Sequence, residues 1–111
     1  MITGKKLLEF YILWTTKKGP KCGYDIMKEL EEFFELKKLS HAVLYLTLRN
    51  LESKKYLVGA KGSRNKTIYS LTEKGMGKLD SEMLSMRRYL LKFKDILDEI
   101  LSTESGVEQN G

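Results

Sequence analysis

The residues best suited to chemistry in this chain of 111 residues are cations, and they are concentrated. Between Leu36 and Lys66 stand eight basic side chains (Lys37, Lys38, Arg49, Lys54, Lys55, Lys61, Arg64 and Lys66) against one acid, Glu52. That stretch carries +7, while the whole chain carries +5. The chemistry open to such a cluster is electrostatic: a concentrated positive surface attracts a polyanion such as a phosphate backbone. A solvated lysine-rich face is the other reading of the same charges, and charge alone does not separate the two. Covalent chemistry is poorly supplied. One histidine (His41), one cysteine (Cys22) and carboxylates scattered over amphipathic segments make no nucleophile–base set. The Gly59-x-x-Gly62 spacing lacks the Gly-Lys-Ser/Thr ending of a phosphate-cradling loop. A lone thiol forms no internal disulfide, and one thiol with one histidine cannot build a zinc site. No catalytic role, metal or cofactor is expected, and the cysteine usage suits a cytoplasmic protein.

The elements that must position these charges follow from periodicity. Thr3 to Lys18 is an apolar segment that Gly19-Pro20 stops, because proline lacks an N–H and disfavours helix in the residue before it. A brief extended piece, Lys21-Cys22, precedes a second helix over Tyr24 to Leu36, with Tyr24, Met27, Leu30 and Phe34 at helical spacing. Ser40 is a good N-cap for a third helix over His41 to Lys54, whose buried stripe is Leu44, Leu48 and Leu51. Two strands are expected at Tyr56–Lys61 and Thr67–Leu71, joined by a turn-forming tip, Gly62-Ser63-Arg64-Asn65-Lys66. Thr72 caps a last helix that continues to Leu101. No apolar run approaches the ~20 residues needed to span a membrane. The stretch from Lys5 to Trp14 imitates a signal peptide only faintly, since Glu9 interrupts it and no small-residue cleavage site follows.

Met76, Leu79, Met83, Met86, Leu90, Phe93, Leu97 and Ile100 follow one another at alternating steps of three and four. That is an unbroken heptad seam. A helix of about 26 residues is roughly 39 Å long, more than so small a domain can cover, so the seam is expected to pair with a second copy. The fold class is thus mainly α with a small β-hairpin: a winged helix-turn-helix domain over residues 1–75 and a coiled-coil-like dimerisation helix over 76–101. A polar, disordered tail is expected over 102–111.

Three motifs stand in order along the chain. Gly19-Pro20-x-x-Gly23-Tyr24-Asp25-Ile26 opens the second helix, and Ser40-His41-Ala42-Val43-Leu44-Tyr45-Leu46-Thr47-Leu48-Arg49-Asn50-Leu51-Glu52 forms the third. Tyr69-Ser70-Leu71-Thr72-Glu73-Lys74-Gly75 leads into the last helix. Together they resemble the signature of the PadR family of winged-helix transcriptional regulators. Two positions depart from it: Ala42 stands where the family usually has Gly, and Leu46 where it usually has Pro. The missing proline restores an amide and a more regular helix, which bears on the operator sequence rather than on DNA binding.

The resemblance implies a homodimeric DNA-binding regulator, more readily a repressor than an activator, acting on a palindromic site in double-stranded DNA. It implies that Ser40, His41, Tyr45 and Arg49 face DNA, with Arg49 reaching a guanine edge or a phosphate. Lys61, Arg64, Asn65, Lys66 and Thr67 would serve the wing, and Lys37 and Lys38 would clamp backbone before the recognition helix. Residue by residue, Tyr45 reads alternatively as partly buried against the first helix, and His41 as an exposed residue of no consequence. Trp14 and Tyr11 are candidates for stacking a small aromatic ligand, with a core or interface role as the plainer reading. Met83 and Met86 could line a pocket or simply fill the seam. Two other functions fit the same residues: an architectural DNA binder without a ligand, and a winged-helix module whose basic face meets an acidic protein.

Overall fold

The computed structural model describes residues 4–34 and 40–103. In chain order these form α1 (Gly4–Lys17), β1 (Lys21–Cys22), α2 (Gly23–Phe33), α3 (His41–Ser53), β2 (Leu57–Lys61), β3 (Thr67–Leu71), α4 (Glu73–Leu91) and α5 (Lys94–Leu101). They divide into two units, with the boundary between Asp80 and Ser81.

In the first unit, Ile12, Leu13, Ile26, Leu30, Leu44, Leu48, Leu51, Leu57 and Leu79 are buried in one core, joined by Tyr11, Met27 and Tyr69. The predicted stripe of α3 is the buried one, with Thr47 added; its hydroxyl is satisfied by donating to the Val43 carbonyl at 2.7 Å. In α2 the predicted stripe is corrected. Tyr24 and Phe34 are exposed at 52% and 41%, and Ile26 is fully buried in their place. The buried face thus runs through Ile26, Met27 and Leu30, turned away from the two aromatics.

The sheet has the order β1-β3-β2, all antiparallel, with Lys21 opposite Tyr69 and Gly59 opposite Tyr69 on the other side. Between β2 and β3, Ser63–Asn65 makes a tight turn in which Arg64 (φ 58°) and Asn65 (φ 60°) both take left-handed backbone. Two successive positive φ values are the geometry of a type I′ turn, whose twist matches that of the flanking strands. Gly62 N–H donates to the Lys66 carbonyl at 2.6 Å and closes the tip.

Both caps foreseen in the sequence are made. Ser40 Oγ accepts from Val43 N–H at 3.3 Å, and Thr72 Oγ1 accepts from Gly75 N–H at 2.9 Å while donating to the Lys55 carbonyl at 2.6 Å. Thr72 therefore fastens the start of α4 to the end of α3. The approach is close: a Cβ on Gly75 would stand 2.1 Å from the Tyr56 carbonyl oxygen, so only glycine fits there. At its other end α3 closes with Tyr56 N–H on the Leu51 carbonyl and Lys55 N–H on the Glu52 carbonyl, the Schellman pattern. Its left-handed position is Lys55, φ 67°.

The helix expected to run unbroken to Leu101 is two helices. α4 ends at Leu91, where Lys92 N–H bonds to the Tyr89 carbonyl and Phe93 N–H to the Leu90 carbonyl, and α5 begins at Lys94. These i→i+3 bonds tighten the last turn and stop the α ladder, so the heptad seam crosses a helix boundary. Leu79, at its start, is fully buried in the core of the first unit, and Met76 packs against that core. In the second unit Leu84, Leu90, Leu91, Phe93, Ile96, Ile100 and Leu101 are exposed, and no residue of α5 is buried. The tail expected over 102–111 lies outside the described residues from position 104 onward. Among the described residues no helix is long and apolar enough to cross a membrane.

Candidate nucleic-acid interface

α3 carries its chemistry on a face that flanks its buried stripe, about 100° around the helix from it. With Leu44, Leu48 and Leu51 buried, His41, Tyr45, Arg49 and Glu52 are all exposed. Tyr45, Arg49 and Glu52 are four and then three residues apart, so they share one face. The His41 and Tyr45 rings lie 6.5 Å apart, centroid to centroid. Ser40 is exposed, with its hydroxyl engaged as the cap.

This face meets the wing across a cleft of about 310 Å³, lined by Cys22, Gly23, Tyr24, Tyr45, Asn65, Lys66, Thr67 and Tyr69. The fold therefore brings Tyr45 of the third helix together with three of the five wing residues singled out in the sequence. Lys61 and Arg64 are exposed on the hairpin outside the cleft lining. Lys37 and Lys38 lie outside the described residues. The cleft also shows what the sequence reading missed. Gly23 and Tyr24 open α2 beside Tyr45, and Tyr69, 8% exposed, forms the floor from β3. The motif containing Gly23 and Tyr24 was visible, but helical periodicity assigned Tyr24 to the core.

Tyr69 keeps its proton firmly. Burial pushes its hydroxyl above the usual tyrosine value, the Glu52 carboxylate and Tyr45 push further the same way, and Arg49 opposes them. A neutral phenol at neutral pH is a hydrogen-bond donor, which suits an anionic partner.

Tyr11 and Trp14 form a different region. Tyr11 is 7% exposed, and its hydroxyl donates to Glu29 Oε1 at 3.3 Å; Thr15 donates to the same oxygen at 2.7 Å. Glu29 also pairs with Lys21 at 3.4 Å. The Tyr11 ring packs on Trp14, Phe33 and Phe34 at centroid distances of 5.7, 5.3 and 6.2 Å, and the Lys18 ammonium sits 3.6 Å from the Trp14 ring centroid. Both rings are engaged by the protein itself, so the ligand-stacking expectation gains no support. A larger apolar groove of about 540 Å³, lined by Leu7, Leu8, Leu30, Phe34 and Val43 among others, includes neither ring. Among the described residues no cluster of His, Cys, Asp and Glu could hold a metal ion.

A helical unit whose third helix lies beside a two-stranded wing, with a polar cleft between them, defines a winged helix-turn-helix protein. The sequence profile of the PadR-like family of transcriptional regulators matches residues 12–81, and the chain belongs to that family. No curated protein sequence matches the chain closely enough to argue from. Among solved structures, a PadR family transcription regulator from Clostridium difficile R20291 superimposes with a TM-score of 0.69 at 23% identity, over 81% of this chain and 97% of that one. A transcriptional regulator from Clostridium thermocellum gives 0.68 at 20% identity, over 88% and 97%. At these identities the likeness speaks for the fold. Bacillus subtilis PadR, solved in complex with operator DNA, gives a TM-score of 0.62 at 26% identity, over 69% of this chain and 46% of that one.

Proposed function

We propose that this protein is a sequence-specific DNA-binding transcriptional regulator, a repressor acting as a homodimer on a palindromic site. The observation that carries the reading is the cleft in which Tyr45 of α3 faces Asn65, Lys66 and Thr67 of the wing, with Arg49 exposed on the same helix face as Tyr45. A helix presenting Tyr and Arg suits the major groove, and a hairpin tip carrying Lys61, Arg64 and Lys66 suits the neighbouring backbone. The Bacillus subtilis relative, bound to its operator, shares this fold. The exposed apolar residues of the second unit support pairing, because a monomer seldom leaves so many large apolar side chains of one segment in water. A two-fold dimer places two recognition helices about one turn of DNA apart, roughly 34 Å, or a multiple of it. Repression follows if the occupied site overlaps a promoter.

The test is selection of bound duplexes from a random pool, followed by titration of the best sequence at several salt concentrations. The expected outcome is an inverted-repeat consensus, with affinity falling steeply as salt rises. Binding that shows no sequence preference would replace this reading with an architectural role. No duplex binding at micromolar protein would replace it with a protein-interaction module.

A further inference from the structure

The outer ring atoms of Tyr45 rest on a different helix from the one that carries them. A Cβ built on Gly23, the first residue of α2, would lie 2.6 Å from Tyr45 Cε1, 2.8 Å from its hydroxyl oxygen and 2.9 Å from Cζ. Ordinary contacts between carbon atoms are about 3.5–4.0 Å, so no side chain fits between the helix and the ring. Gly23 is buried and does not take left-handed backbone. What the position requires is room, not conformational freedom.

The consequence falls on the cleft rather than on the core. The three crowded atoms are the far end of a ring that is 39% exposed, so a methyl group at Gly23 could be accommodated by swinging the ring outward. The core stripe of α3 at Leu44, Leu48 and Leu51 would stay where it is. The phenol would leave the position in which it shares a cleft with Asn65, Lys66, Thr67 and Tyr69. A tyrosine without such a seat samples several staggered rotamers, and binding must then select one of them at an entropic cost.

We propose that Gly23 is a positioning residue for DNA recognition: its bare Cα is the seat that holds the Tyr45 ring in the cleft between the recognition helix and the wing. The proposal rests on reading that cleft as part of the DNA-binding surface, and it assigns α2 a part in recognition beyond packing.

The test is a double-mutant cycle on the full chain, using the duplex obtained by selection. Gly23→Ala is expected to weaken binding about tenfold or more, with the thermal midpoint and helical circular dichroism close to the parent's. In a Tyr45→Ala background the same substitution is expected to change affinity less than about twofold, because the ring it would displace is gone. An equal loss in both backgrounds overturns the proposal, since Gly23 would then act through its own backbone or through the fold. Should Gly23→Ala fail to fold, a seat requires the Gly23→Ala/Tyr45→Ala protein to recover folding; a double variant equally unfolded overturns it. A parent protein that binds no duplex refutes the DNA-binding reading, and the seat falls with it. Parent binding with equal penalties refutes the seat alone.

Discussion

Arg49 and Arg64 carry the same charge on different supports. Arg49 projects from the middle of a regular helix, on the face shared with Tyr45 and Glu52. Arg64 sits at a turn tip in left-handed backbone that a long side chain adopts at a cost. Arg49→Ala is expected to relax base preference and to weaken binding by about 1–3 kcal/mol, read from a repeated duplex selection. Arg64→Asn separates stability from affinity. Asparagine is more at ease in the left-handed region, so the folded state should gain about 0.5–1 kcal/mol, while binding falls evenly across sequences. A calorimetric scan and a titration on two unrelated duplexes check both halves. Tyr11 offers a pH signature. Burial first, and then the neighbouring Glu29 carboxylate, raise its hydroxyl above the ordinary value of 10.0, as burial does for Tyr69. The folded protein therefore holds these protons more tightly than the unfolded chain. The resulting stability is intact below pH 10 and is lost as pH climbs through the raised values. Tyr11→Phe should flatten the fall of the thermal midpoint between neutral pH and about pH 11.

Two positions at the scale of elements predict changes of opposite sign. α3 ends on Lys55 with a positive φ, the place in a Schellman closure that glycine usually fills. Lys55→Gly should stabilise the protein by about 1 kcal/mol, seen as a rise of several degrees in the thermal midpoint. Gly75 is the reverse case. It lies against the Tyr56 carbonyl, at the point where Thr72 ties α4 to the end of α3. Gly75→Ala must push the helix off that carbonyl and should cost at least about 2 kcal/mol in denaturant unfolding. Both ends of this junction lie next to the C-terminal end of α3, so the anchorage of α4 also braces that helix.

The molecule as a whole divides its apolar residues between two tasks. Leu79 and the stripes of α1, α2 and α3 close a core within the first unit, whereas Leu90, Phe93, Ile96 and Ile100 of the second unit remain exposed. If that face joins two copies, replacing Leu90 and Ile100 together by Glu should give a protein of one chain's mass, 12.9 kDa, by light scattering. Two like charges in an apolar seam would be buried without partners, which is prohibitive. Affinity for a half-site should survive, while affinity for the full inverted repeat should fall by orders of magnitude through loss of the second foot. An unaltered dimer would show that the contact lies elsewhere.

Local signals were sufficient for much of this protein. The order of elements, the hairpin at Gly62 to Lys66, the stripe of α3 and both helix caps were legible in the sequence, because each depends on a few neighbouring residues. So was the family, through three motifs in which Gly23, Gly75 and Thr72 now have steric and capping reasons. The face of α2 was not legible: Tyr24 and Ile26 are both apolar enough for a core, and only packing against α1 and α3 decides which turns inward. The break after Leu91 was hidden for a related reason, since a heptad pattern reports hydrophobic spacing and not whether the backbone ladder continues. Which side chains share the cleft was decided by tertiary structure alone. Gly23, Tyr45 and Tyr69 come from three separate elements and Lys66 from the turn between β2 and β3, and no spacing along a chain encodes a contact made when helix and sheet close on one another.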